Sequence, residues 1–192
     1  MAGFTLTTMS IGWPIASTLS GKMLISIGYR KTSIIGGAFL VLGSFAFITM
    51  SASSGPIWAA VGSFVVGAGM GFTSTAFIVS IQSTVVWQQR GIATAANMFM
   101  RNLGNTIGAA LLGGILNNRL VHYFSENNQS LTVEDANKLL KLEERKQLVD
   151  SVKSILQEGL TFSLHSVYYV VLTFAVISLL LILFIPKKTR ET

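Results

Sequence analysis

The chain has 192 residues, of which 51% are hydrophobic and 11% charged. A soluble domain carries charge on roughly 25% of its residues, so a water-soluble globular fold is excluded. Cysteine is absent, which excludes a disulfide framework and a thiolate metal site. The net charge of +6 sits in the gaps between apolar runs, a pattern that the positive-inside rule explains without nucleic acid.

The start, Met-Ala-Gly-Phe-Thr-Leu-Thr-Thr-Met, lacks the basic region of a signal peptide. It reads like the interior of a membrane protein, so an internal start or a truncation is expected. The first apolar run, residues 3–20, holds no Lys, Arg, Asp or Glu. A charge-free stretch of that length crosses the ~30 Å hydrocarbon core as a helix. Trp13-Pro14 lies inside it, and proline kinks a membrane helix whose neighbours tolerate the freed carbonyl. A hinge follows at residues 21–31, with Lys22, Arg30 and Lys31 and no acid. Gly21 and Gly28 permit the tight turns that a short link needs. Basic residues in a short loop mark the cytoplasmic side.

The second run, 32–51, is again free of charge, and an uncharged turn at 51–56 ends it. The third run, 57–86, exceeds one perpendicular crossing and is expected to tilt or project. Trp87-Gln88-Gln89-Arg90 makes a basic turn before the fourth run, 92–116. A polar stretch, 117–159, precedes the last run, 160–185, which Pro186-Lys187-Lys188-Thr189-Arg190 closes. Alternate crossings collect seven basic residues on one side (Lys22, Arg30, Lys31, Arg90, Lys187, Lys188, Arg190) against one acid, Glu191. The expected fold is therefore all-α: a polytopic membrane helix bundle of five transmembrane helices in one domain, 1–192. Its N-terminus lies outside and its C-terminus is cytoplasmic, in a multi-pass cell-membrane protein.

Within 117–159, Thr132 and Asp135 have the spacing of a capping box, with Glu134 also in the first turn. Val133, Ala136, Leu139, Leu140 and Leu142 recur at roughly helical spacing, and Leu148, Val152, Ile155 and Leu156 repeat the pattern. An external helical hairpin fits this reading, with a helix lying on the lipid as the alternative.

Arg101 is the only charged residue inside any run. It lies about 16 Å along a helix from Arg90, at 1.5 Å per residue. A charge at that depth turns toward a cavity or a partner. Thr94, Asn97, Arg101, Asn105 and Gly108 step by three or four residues and so share one face. Such a stripe suggests the wall of an aqueous pathway; the plainer reading has Arg101 snorkel or pair for structure. No acid within the five runs can partner it. Gly67 with Gly71, and Gly104 with Gly108, form GxxxG pairs for close helix packing, with plain bundle contact weighed against gating. Gln82 and Trp87 suit the interfacial end of the third run. His165, near Tyr168 and Tyr169, fits an interfacial histidine better than a proton relay. No His-Glu-x-x-His, Gly-x-Ser-x-Gly or nucleotide loop occurs, and His122 and His165 lack a metal-ligand spacing. No enzyme activity, metal or cofactor is expected.

The hinge Gly21-x-Met23-x-x-x-x-Gly28-x-Arg30-Lys31 resembles the C-terminal copy of the loop motif of the major facilitator superfamily, Gly-x-Leu-Ala-Asp-Arg-x-Gly-Arg-Arg/Lys. Ile25 stands at the Asp and Ser26 at the Arg, so the turn carries over and the charge relay does not. Arg90-Gly91-Ile92-Ala93-Thr94-Ala95, then Asn97, Arg101-Asn102-Leu103-Gly104 and Gly108, are similar to the fourteen-span drug–proton antiporters of the EmrB/QacA type. The resemblance covers nearly the whole chain. It implies the last five spans, drug/proton antiport of lipophilic compounds by a larger transporter, and a missing N-terminal half. Partners then include membrane lipid, a small lipophilic substrate and protons. Alternatives are another major-facilitator exporter, for a siderophore or metabolite, or a truncated, non-transporting membrane fragment.

Overall fold

A computed structural model describes residues 2–50, 55–126, 131–139 and 150–185 of the chain. All regular structure among them is helical: α1 (Ala2–Ile48), α2 (Pro56–Thr84), a 3₁₀ turn (Trp87–Gln89), α3 (Arg90–Glu126), α4 (Val133–Lys138) and α5 (Asp150–Leu183). The chain divides into two compact units, Met1–Leu103 with Val171–Thr192, and Gly104–Val170. Most of the expected turn at 51–56, residues Leu140, Leu142 and Leu148, and the basic tail lie outside the described residues.

In the first unit, α1 is two helices joined at Gly28, whose φ of 77° and ψ of 166° are not helical. That conformation is open essentially only to glycine. The hinge is shorter than the expected 21–31. Gly21 is helical, because the mostly apolar residues from Lys22 to Ile27 continue the first arm until Gly28 stops it. Pro14 sits inside that arm.

Both arms lie against α2, and glycine sets the distance. A Cβ on Gly67 would fall 2.5 Å from the Met9 carbonyl oxygen, and one on Gly71 would fall 2.6 Å from that of Trp13. On the second arm, a Cβ at Gly69 would meet the Leu40 nitrogen at 2.8 Å. The helices therefore touch backbone to backbone. Lipid offers no hydrophobic drive to bring helices together, so association rests on this kind of contact and on polar pairs. Ala16, Ala68 and Phe72 form the buried core, with Met23 and Phe39 against it; the Phe39 and Phe72 rings stack at 5.8 Å. The Ser17 and Thr75 hydroxyls bond at 2.7 Å, and Ser20 donates to the Phe72 carbonyl at 3.3 Å. On the last part of α5, Leu179 and Ile182 pack over Gly37.

The outside of this unit is apolar. Ile11, Ile15, Leu19, Phe45 and Leu181 are all exposed, as suits helices whose solvent is hydrocarbon. Among the described residues, three helices are long and apolar enough to cross a membrane: Thr7–Ile48, Pro56–Thr84 and Ser151–Leu183. The first contains the runs 3–20 and 32–51, parted at Gly28. The fourth expected span, 92–116, is absent from that set among the described residues. Asn97, Arg101, Asn102 and Asn105 in mid-run lower its hydropathy.

The second unit has its own core of Leu120, Phe124, Ala136 and Leu156, with Val133, Leu139, Val152 and Ile155 packed on it. The polar stretch 117–159 is thus only partly a separate hairpin: α3 runs on to Glu126 and α5 begins at Asp150. Gly159 lies under the Tyr123 ring. Burial, together with the charge and hydrogen bond of Glu158, pushes the Tyr123 phenol up. The capping box of α4 is formed in both directions: Thr132 Oγ1 accepts from the Asp135 amide, and the Asp135 carboxylate accepts from the Thr132 amide.

Candidate functional site

The polar stripe starts where α2 hands over to α3. Val85 and Val86 are extended, the 3₁₀ turn reverses the chain, and α3 begins at Arg90. The Arg90 guanidinium lies 5.1 Å from the ring centroid of Trp87, which is exposed. Gln82 Nε2 donates to Thr94 Oγ1 at 3.1 Å, tying the end of α2 to the first turn of α3. The sequence reading gave Gln82 only an interfacial place; it is the polar partner of the first residue of the stripe.

Asn97 follows, half-buried, and then Arg101, exposed. The guanidinium carbon of Arg101 lies 4.8 Å from the ring centroid of Trp13 on the first arm of α1. Among the described residues no carboxylate forms an ion pair with Arg101. The indole face stands where a carboxylate would. A cation over tryptophan contributes about 0.5–1 kcal/mol when exposed and about 2 or more when desolvated. Arg suits the arrangement better than Lys, because its planar, weakly hydrated head stacks on a ring.

The ring is itself held in place. The Trp13 carbonyl lies against Gly71, where no side chain intervenes. Gly71 thereby lets α2 approach the backbone that carries the indole. Sequence reasoning missed Trp13 as the partner of Arg101. The available signal was partial: with no acid in any run, an aromatic face joins amide and hydroxyl oxygens as the partners left for a cation.

Asn105, Gly104 and Gly108 belong to the second unit, where Asn105 is exposed. A Cβ at Gly104 or Gly108 would meet no heavy atom of another element among the described residues of that unit. The two GxxxG pairs therefore differ: Gly67 and Gly71 are filled by α1, and Gly104 and Gly108 are not filled within their unit.

At the hinge, Arg30 Nη2 donates to the Leu183 carbonyl at 2.9 Å, at the C-terminal end of α5. A cation there meets the negative end of the helix dipole. Lys31 is exposed beside it. His165 Nδ1 donates to the Thr161 carbonyl at 2.9 Å, and its ring meets Tyr168 edge-on. His122 pairs with Glu126 at 3.2 Å on the surface of α3.

No protein-family model matches the chain. The chain is similar along its whole length to multidrug resistance protein 3 of Bacillus subtilis, at 24% identity over 201 residues, covering 39% of that protein. It is 26% identical over 215 residues to the multidrug transporter protein MdtP of the same organism, covering 96% of the chain and 39% of MdtP. Over 60% of its length it is 26% identical to a tetracycline resistance determinant of Streptomyces rimosus. The chain spans about two fifths of the length of the first two relatives. With its all-helical, lipid-facing build, it is a relative of the multidrug transporters of the major facilitator superfamily.

Proposed function

We propose that the chain forms the C-terminal part of a proton-driven efflux transporter for lipophilic, often cationic, compounds. The match of the whole chain to two multidrug transporters carries this reading. The N-terminal half of the transporter supplies the remaining spans and the proton carrier. Support for that division comes from the runs themselves, which hold no Asp or Glu, whereas an intramembrane carboxylate is the usual proton carrier. Thr94, Asn97, Arg101 and Asn105 line the substrate pathway, with Arg101 parked on Trp13 as its fixed cation. Gly104 and Gly108 receive a helix from the missing portion, which fits their unfilled face. The N-terminus lies outside and the C-terminus in the cytoplasm, as the seven-to-one excess of basic residues on that side supports.

Two measurements test this. In cells, the transporter carrying this chain lowers the accumulation of a fluorescent lipophilic cation, and Arg101→Ala raises accumulation to the level of untransformed cells at unchanged membrane abundance. Single cysteines at Ser53 and Asn128 react with an impermeant reagent in intact cells, and a cysteine at Ser26 reacts only after permeabilisation. External labelling at Ser26 reverses the orientation.

A further inference from the structure

A groove of about 840 Å³ lies between the hinge and the end of α2. Leu24, Ile27 and Val79 give it an apolar wall. Arg30 and Lys31 line the same groove, with the hydroxyl residue Ser83, and no acid is among the lining residues. The guanidinium of Arg30 is pinned by its bond to the Leu183 carbonyl, which is a dipole, and no carboxylate among the described residues pairs with its positive charge. Its Nε is buried and without a hydrogen-bond partner among the described residues. Two cations thus stand beside an apolar wall in a protein whose outer face is built for lipid.

That combination selects its occupant. A lipophilic cation is repelled. A free phosphate answers the charge and leaves the apolar wall unmatched. A phosphodiester that carries acyl chains answers both, and basic pockets at a membrane surface attract anionic headgroups. We infer that the groove holds the headgroup of an anionic phospholipid. Its phosphate lies at Arg30 and Lys31, and the top of an acyl chain lies along Leu24, Ile27 and Val79. Membrane insertion is all this site requires; it stands whether or not the protein transports drugs.

Native mass spectrometry of the purified chain, released from micelles with added phosphatidylglycerol or phosphatidylcholine, tests the site. Phosphatidylglycerol adducts are expected to persist at concentrations where phosphatidylcholine adducts are lost. Lys31→Gln is expected to weaken phosphatidylglycerol retention about fivefold, the effect of one basic residue near an anionic lipid surface. Lys22→Gln, on the first arm of α1 and outside the groove, is expected to leave retention unchanged. Val79→Trp, which fills the apolar wall, also weakens it and leaves the charge intact. Millimolar inorganic phosphate is expected not to displace the lipid. Equal retention of the two lipids, an equal loss in Lys22→Gln and Lys31→Gln, or displacement by inorganic phosphate would overturn the assignment; the last would mark a free-phosphate site.

Discussion

The Arg101 guanidinium sits over the Trp13 indole, its carbon 4.8 Å from the ring centroid. This contact joins α3 to the first arm of α1 and places a cation where the surrounding run has no acid. On the proposed reading, in which α3 crosses the membrane, a charge at its centre costs about 2.5–3.5 kcal/mol on insertion scales. The indole offsets part of that cost without neutralising the charge. The site therefore keeps a net positive charge, which a paired carboxylate would cancel, and no described carboxylate pairs with Arg101.

A double-mutant cycle reads the pair directly. Arg101→Gln and Trp13→Leu are each expected to lower the stability of the purified protein in detergent. Their combined effect falls short of the sum by about 0.5–2 kcal/mol, the strength of a cation–π contact. Arg101→Lys keeps the charge and recovers only part of the loss. Additive effects, measured by thermal unfolding, would remove the coupling.

Gly28 carries the reversal between the two arms of α1 at a φ of 77°. Gly28→Ala is expected to cost about 1–3 kcal/mol, the strain of a side chain in that region. Gly21→Ala, at a helical position with open space around it, is expected to be neutral or stabilising, since alanine favours the helix by about 1 kcal/mol. Equal effects at the two glycines, in the same unfolding assay, would move the turn away from Gly28.

The two glycine pairs give a second contrast. Gly67→Leu would drive a side chain into the Met9 backbone and is expected to destabilise by at least the ~1–3 kcal/mol typical of overpacking. Gly104→Leu is expected to leave the stability of this chain unchanged, because no described residue of its unit occupies that face. In the complete transporter Gly104→Leu becomes destabilising if a partner helix docks there. Unfolding midpoints of both variants in both contexts decide the matter.

The cap of α4 makes a pH prediction. The Lys138 ammonium, with the Thr132 amide, lowers the Asp135 carboxyl from 3.8 to about 2. A carboxyl that titrates lower in the folded state stabilises fully above its unfolded value and loses that contribution as the pH falls through its folded one. Protection of the Val133–Lys138 amides, taken against unfolded-chain exchange at the same pH, is therefore expected to hold down to the unfolded value of 3.8 and to fall between there and about 2. Thr132→Ala removes the reciprocal cap and costs about 1 kcal/mol of local stability at neutral pH. Protection that persists undiminished below the folded value would show that Asp135 does not hold the helix.

What could be read from the sequence was local. Charge-free runs name the membrane helices because hydrophobicity must be nearly continuous in lipid. The Thr132–Asp135 box is legible because its partners lie three residues apart. The lengths of α3 and α5 were not legible. Outside the membrane a helix needs only one apolar stripe, and Leu120, Phe124, Val152 and Leu156 supply it between polar residues. The bonds from Gln82 to Thr94, from Arg30 to Leu183 and from Arg101 to Trp13 depend on how helices meet, which no local pattern encodes.

Reconstitution tests the central claim most directly. The purified 192-residue chain is placed in liposomes with an imposed pH gradient and a fluorescent lipophilic cation. Alternating access needs two bundles rocking about a midplane site, so the chain alone is expected to move no dye above protein-free liposomes. The same chain joined to its N-terminal portion is expected to move dye with the gradient and to saturate. Gradient-dependent, saturable movement by the chain alone would contradict its role as one part of a larger transporter.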